Sequence, residues 1–252
     1  MDLKIEGKNV LVVGASKGIG KSIALGFARE GAKLTIIARS EDLLIKLKNE
    51  LMQLKDSDHA YYAVDVMEIK GDEFARKLIE ERGVFDIVVH NVGGSLIGRN
   101  ALGKFEEWEY AIKFNAGVAI DMNSVLIPAM IDKGWGRVIH ISSISAVMLR
   151  GNPLYASAKA FLNAYVTTVG RAVANTGVVV SAVMPGAVAF PGSYWDKYME
   201  TDPARCEDFL RHHQAVGRFG TPEEIADAVL FLASDQASFM QAALVPVDGA
   251  NM

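Results

Sequence analysis

Tyr155 and Lys159 stand four positions apart in LYASAKAFLNAY, residues 154–165. On a helix that spacing puts both side chains on one face. A free tyrosine titrates near pH ~10, so its phenol is poorly matched to proton transfer at neutral pH. A neighbouring ammonium favours the phenolate and brings the group toward a useful range. The pair therefore has the composition of a proton-transfer device. An amphipathic helix with an incidental aromatic–cation pair accounts for the same spacing, so the rest of the chain decides.

VVGASKGIGKSIA, residues 12–24, offers a second chemistry. Gly14, Gly18 and Gly20 are spaced G-x-x-x-G-x-G between a buried apolar run and a helical pattern. Gly14 permits the turn, Gly18 lets the backbone approach a pyrophosphate, and Gly20 allows close helix–strand packing. The helix N-terminus adds free N–H groups and a positive dipole end. A glycine trio can also serve packing alone, but a position between strand and helix is the context that a dinucleotide loop requires. The second apolar run ends Ala38–Arg39–Ser40, without an acid to accept from a ribose 2′-OH. Arg39, with Lys17 in the glycine loop, suits the 2′-phosphate of NADP(H) instead. Two surface cations are the bland alternative. Asp65, after the third run, could accept from an adenine amino group.

These residues need a frame, and the pattern supplies one. Apolar, β-branched runs at 8–14, 32–39, 59–66, 85–94, 135–144, 178–186 and 243–249 alternate with helical patterns at 18–31, 40–54, 68–82, 105–132, 154–176 and 221–234. Non-alternating strands separated by helices predict an α/β fold, a doubly wound parallel seven-stranded sheet of Rossmann type with helices on both faces. Ser40 is placed to cap the second helix, and Thr221 with Glu224 forms a capping box around Pro222. No linker or repeat divides residues 1–252, so one catalytic domain is expected. Residues 187–217 break the pattern as an insertion after the sixth strand, where such insertions cover the ligand site.

The chain has 252 residues, is 50% hydrophobic and carries a formal net charge of −4. That composition supports a sizeable core and gives no electrostatic footprint for nucleic acid. A single cysteine, Cys206, excludes an internal disulfide framework or a multi-cysteine metal site, and no metal is expected. His212 and His213 read as a solvated helix face. The N-terminus shows no leader pattern, and no apolar run approaches a membrane span of ~20 residues. The expectation is a cytoplasmic protein with no membrane partner.

Taken together, these motifs resemble those of the short-chain dehydrogenase/reductase family, over essentially the whole chain. The glycine loop is similar to TGxxxGxG with Val13 in place of threonine. HNVGG (90–94) is similar to NNAG, with His90 and Val92 departing. FNAGVA (114–119), ISS (141–143), YASAK (155–159), MPG (184–186), RFGTPEEIADAVLFLAS and VDGA follow in the family's order. The C-terminal segment is most similar to that of 3-oxoacyl-[acyl-carrier-protein] reductase-like members. The resemblance implies an NADP(H)-dependent oxidoreductase that interconverts a ketone and a secondary alcohol. It implies Tyr155 as general acid/base, Lys159 as support of the phenolate and the nicotinamide ribose, Ser143 as orienter of the substrate oxygen, and Asn115 as a local helix interruption holding a water on the path to Lys159. Ser142 and Ser145 stay open as alternatives to Ser143. Cofactor contacts implied alongside Gly14, Lys17, Gly18, Gly20, Arg39 and Asp65 are Ser16, Ile19, Val66, Asn91, Gly93, Pro185, Gly186 and Val188, with Phe190 where relatives often carry threonine. A non-catalytic NADP(H) sensor and a dehydratase or epimerase are the rival functions on the same fold.

The substrate is a small carbonyl or alcohol, with wall candidates Ser95, Leu96, Ile97, Met148, Leu149, Arg150, Phe190, Tyr194 and Trp195. Carrier-protein reductases tend to present arginines where this chain has Gly134 and Thr176, which weakens that substrate. The helices at 105–132 and 154–176 carry surplus apolar surface, including Trp108, Phe161, Tyr165 and Val169, and predict a homodimer or homotetramer.

Overall fold

Seven short runs of branched and aliphatic side chains form strands at Asn9–Val13 (β1), Lys33–Ala38 (β2), Ala60–Ala63 (β3), Ile87–His90 (β4), Gly136–Ile141 (β5), Val178–Pro185 (β6) and Leu244–Val247 (β7). They make one sheet in the order β3-β2-β1-β4-β5-β6-β7, with every ladder parallel. The computed structural model describes residues 2–95 and 100–251. The helices are Gly18–Arg29 (α1), Glu41–Leu54 (α2), Gly71–Arg82 (α3), Phe105–Ile112 (α4), Val118–Lys133 (α5), Ser145–Met148 (α6), Pro153–Ala172 (α7), Tyr194–Thr201 (α8), Pro203–His213 (α9) and Pro222–Ala233 (α10).

Side-chain alternation along β1 divides the core. Val10 and Val12 join α1, α2 and α10 through Ile23, Phe27, Leu47 and Val229. Leu11 and Val13 join α3, α5 and α7 through Leu78, Met122, Leu126, Leu162 and Val166. Because both faces are covered, the strands are apolar throughout rather than alternating. The strand order reverses between β1 and β4, and in such sheets ligands bind at that switch point, beyond the carboxyl ends.

Several bounds differ from expectation for visible reasons. β3 stops at Ala63 because the Asp65 carboxylate accepts from Met67 N–H at 3.0 Å and bends the chain. β4 is confined to four residues, and its expected continuation, the Gly93–Gly94 segment, leaves the sheet. Ser40 occupies the N-cap of α2 without a side-chain hydrogen bond, whereas the Thr221–Glu224 capping box forms. The 105–132 helix is interrupted by a π turn at Lys113–Gly117, around Asn115, as the resemblance implied. The whole stretch Phe105–Lys133 is long and apolar enough to cross a membrane, contrary to expectation, yet half of its most apolar window is buried in the protein. α6 was not foreseen. The insertion folds into α8 and α9, hinged at Asp202, whose side chain caps α9 by accepting from Arg205 N–H at 3.2 Å.

Candidate active site

α7 is where the opening pair is positioned. Asn152 caps it, accepting from Leu154 N–H at 3.0 Å, and Pro153 follows at the first helical position. This cap fixes the start of the helix and therefore the heights of Tyr155 and Lys159. The Lys159 Nζ lies 5.9 Å from the centroid of the Tyr155 ring and donates to Ile141 O, at the end of β5, at 2.7 Å. Lys159 is fully enclosed, and burial lowers its pKa to about 7. Burial pushes the Tyr155 phenol up from its ordinary value, and a hydrogen bond with Ser143 partly offsets this. The expected lowering by Lys159 does not appear among the protein's own groups: an ammonium that is itself desolvated loses its charge near neutral pH and supports a phenolate less strongly.

The three serines separate cleanly. Ser142 also borders the cavity, but its hydroxyl is committed to the core, donating to Asn163 Oδ1 at 2.6 Å. Ser145 begins α6, its N–H donating to Ser143 Oγ at 3.1 Å. Ser143 borders the cavity with Tyr155 and Lys159. Asn115 sits in the π turn, buried, and its amide is committed to backbone. Its Oδ1 accepts from Gly94 N–H at 2.9 Å, and its Nδ2 donates to Gly94 O at 3.2 Å and Ala111 O at 3.0 Å. Both amide hydrogens are therefore committed to backbone, and the side chain anchors the Gly93–Gly94 segment. Gly93 needs to be glycine: a Cβ there would stand 2.7 Å from Asn115 Oδ1 and 2.9 Å from Lys159 Nζ, at φ 151°.

Two cavities meet over the glycine loop. The larger, about 550 Å³, is bordered by Gly14, Ser16, Lys17, Arg39, Asp65, Val66, Asn91 and Gly93, by Phe114 at the start of FNAGVA, and also by Leu43 and Tyr110, which no motif had indicated. The second, about 290 Å³, is bordered by Lys17, Ile19, Asn91, Gly93, Ser143, Tyr155, Lys159, Pro185, Gly186, Val188, Phe190 and Trp195. Gly20 lines neither; it packs the helix on the strand, since a Cβ there would fall 2.1 Å from Gly14 O. Asn91 fastens β4 to the same loop, its Nδ2 donating to Gly14 O at 2.8 Å. Gly18 lies beneath the Phe190 ring. The loop borders the larger cavity through Gly14, Ser16 and Lys17 and leads into the N-terminus of α1, an arrangement that fits a dinucleotide's diphosphate. Arg39 stands at the β2 tip, 71% exposed and 3.8 Å from Asp65 Oδ2, and together with Lys17 fits a terminal phosphate on the ribose. Asp65 divides its oxygens between Met67 N–H and Arg39.

The wall candidates fare unevenly. Phe190 and Trp195 border the second cavity, and Ser95 accepts from Asn152 Nδ2 at 2.8 Å. Leu96 and Ile97 lie outside the described residues. Met148, Leu149, Arg150 and Tyr194 border neither cavity. Leu149 is solvent-exposed, Tyr194 accepts from Arg205 Nη2 at 2.9 Å, and Arg150 lies 2.8 Å from His213 Nδ1. His213 therefore departs from the solvated face expected of it; its ring also packs on Phe209. Trp195 joins a three-ring cluster, packing on Phe209 and Phe219 at centroid separations of 4.2 and 4.9 Å while those two rings lie 6.3 Å apart. Beneath the site, His90 and His140 stack at 5.0 Å as a β4–β5 pair, bridged by Asn123. Only His90's departure from the usual motif hinted at this layer. No cluster of metal-ligating side chains occurs among the described residues.

Residues 14–250 match the family model described as enoyl-(acyl carrier protein) reductase. The chain is 32% identical over 255 residues to a 3-oxoacyl-[acyl-carrier-protein] reductase of Thermotoga maritima, covering 98% of each chain. Among solved structures it is similar to L-sorbose reductase from Gluconobacter frateurii, complexed with NADPH and L-sorbose: the TM-score is 0.92 at 28% identity, covering 99% of this chain and 98% of that one. It is also similar to a 3-oxoacyl-(acyl-carrier-protein) reductase from Agrobacterium tumefaciens with NADP bound, with a TM-score of 0.90 at 26% identity, covering 98% and 95%. With the glycine loop, the Ser143–Tyr155–Lys159 group and the sheet order described above, these likenesses place the chain in the short-chain dehydrogenase/reductase family of oxidoreductases.

Proposed function

We propose that this protein uses NADP(H) to interconvert a ketone and a secondary alcohol, with Tyr155 as the group that exchanges the proton. One observation carries the reading: the Tyr155 phenol, hydrogen-bonded to Ser143 and beside Lys159, borders a cavity that continues onto the glycine loop. Bound NADP(H) supplies or accepts the hydride. Tyr155 gives its proton to the carbonyl oxygen in reduction and takes it back in oxidation. Ser143 donates to the same oxygen and fixes its direction. Lys159 holds the ribose side of the cofactor and, when protonated, favours the phenolate. Asn115 interrupts its helix locally and holds the Gly93–Gly94 segment against Lys159, beside the water on the proton path. Gly14, Ser16, Gly18 and Ile19 face the diphosphate, Lys17 and Arg39 take the 2′-phosphate, and Asp65 and Val66 border the adenine. Asn91, Gly93, Pro185, Gly186 and Val188 line the nicotinamide end, where Phe190 offers no polar group for the amide.

The substrate is a compact carbonyl compound, since the cavity of about 290 Å³ must also admit the nicotinamide. The reduction of L-sorbose by one structural neighbour agrees with such a substrate. Residues 1–252 act as one catalytic domain whose insertion, 187–217, walls the site. The protein works in the cytoplasm as a homodimer or homotetramer built through α4 and α7. These helices pack on each other around Ala111, Leu154 and Ala158, yet leave Phe105, Tyr110 and Phe161 exposed. A panel of carbonyls and alcohols, with NADPH absorbance followed in both directions, tests the reading. Turnover of at least one small ketone is expected; NADPH binding with no turnover across the panel would favour a sensor.

A further inference from the structure

We propose that the Phe190 ring is a gate on the diphosphate end of the cofactor site, seated on Gly18 in the free protein and swung aside when the dinucleotide enters. The inference rests on the NADP(H) reading above and adds to it a moving part. Gly18 opens α1, so its N–H belongs to the helix end that would receive a diphosphate. A Cβ built on Gly18 would lie 2.4 Å from Phe190 Cζ and 2.5 Å from Cε2. The ring edge therefore rests on the Gly18 backbone itself. The position matters because Gly18 borders neither cavity: the ring covers it. Lys17, Asn91 and Gly93 border both cavities, while Ile19 and Phe190 border only the smaller one. A diphosphate seated on the N-terminus of α1 must lie against the surface that the ring now covers.

The backbone under the ring is pinned. Phe190 N–H donates to Ser193 Oγ at 3.1 Å, and Ser193 N–H donates to Phe190 O at 2.8 Å. Ser193 Oγ also accepts from Asp196 N–H at 3.1 Å and so ties the turn to the first turn of α8. On the other side, Ala189 N–H donates to Gly220 O at 3.0 Å. The motion is accordingly a rotation of the ring about its own side-chain bonds, the kind of change that occurs in nanoseconds for a partly exposed residue. A closed rotamer that dominates in the free protein lowers the apparent affinity by the fraction open. Shortening the side chain removes that penalty.

The test compares NADPH with 2′-AMP, which needs only the larger cavity and does not touch Phe190. Calorimetry gives both dissociation constants, and stopped-flow NADPH fluorescence gives the association rate. Phe190→Ala should bind NADPH about threefold or more tightly, with a faster on-rate, while its 2′-AMP affinity stays unchanged. Phe190→Val, too short to reach Gly18, should behave alike and guards against a folding defect in the alanine variant. Unchanged or weaker NADPH binding in both variants, or an equal gain for 2′-AMP, would overturn the gate while leaving the proposed function intact. A wild-type protein that bound neither ligand would overturn both.

Discussion

Lys159 carries two roles that pull against each other. It must be buried to sit under Tyr155, and burial lowers its pKa to about 7. The sign of the consequence follows from proton counting. Between pH ~7 and ~10.5 the unfolded chain holds a proton on this amine that the folded protein does not, so stability rises with pH across that window. Below pH ~7 the full cost of enclosing the ammonium is present, on the order of 4–5 kcal/mol. Lys159→Met should therefore melt at a higher temperature than wild type at pH 6, although it loses the hydrogen bond to Ile141 O, and the advantage should shrink toward pH 10. The same variant should lose turnover and bind NADPH more weakly. Thermal melts at the two pH values check this, and a variant less stable than wild type at pH 6 would contradict it. Tyr155 and Lys159 were readable as a pair from their spacing alone. The direction of the phenol's shift was not, because it depends on how completely α7 and its neighbours enclose the ring.

At the scale of elements, the strand ends and the π turn set the geometry. The order of strands and helices was legible because each strand is a short β-branched run and each long helix has its own period. The π turn was not legible from periodicity: one extra residue per turn in Lys113–Gly117 leaves the apolar pattern on both sides almost unchanged. What holds it is Asn115. Asn115→Ala removes three hydrogen bonds to Gly94 and Ala111 and leaves buried backbone groups unpaired, so it should cost about 2–4 kcal/mol in urea unfolding and weaken NADPH binding. Below it, the His90–His140 pair was also hidden, since a cross-strand contact needs the register His90↔His140. Burial lowers the pKa of His90 to about 4, against a smaller opposing contribution from Asn123, and drives that of His140 well below its ordinary value. Both stay neutral in the fold, while the unfolded chain protonates them below pH ~6.5. The stability they contribute is thus present above pH ~6.5 and is lost as pH falls toward 4, by about 3 kcal/mol for His90 alone. His90→Asn should flatten this acid limb in urea titrations at pH 7 and 4.5. An unchanged slope would mean that other groups govern acid stability.

For the molecule as a whole, the proposed assembly rests on the exposed apolar side chains Phe105, Tyr110 and Phe161 of α4 and α7. Phe161, 46% exposed, stands on the outward face of α7, the helix that carries Tyr155 and Lys159. Phe161→Glu should dissociate the assembly, seen by light scattering as a fall toward 27.3 kDa. A wild-type protein that is already monomeric at micromolar concentration would contradict the interface. The central claim, that a tuned phenol moves the proton while the rest of the site holds a dinucleotide, is tested most directly at one atom. Tyr155→Phe keeps the ring packing and removes the hydroxyl. With the best ketone of the panel, kcat should fall by about 10⁴-fold, while the NADPH dissociation constant measured by calorimetry stays within about threefold of wild type. A Tyr155→Phe protein that turns over at a near-wild-type rate would contradict the account.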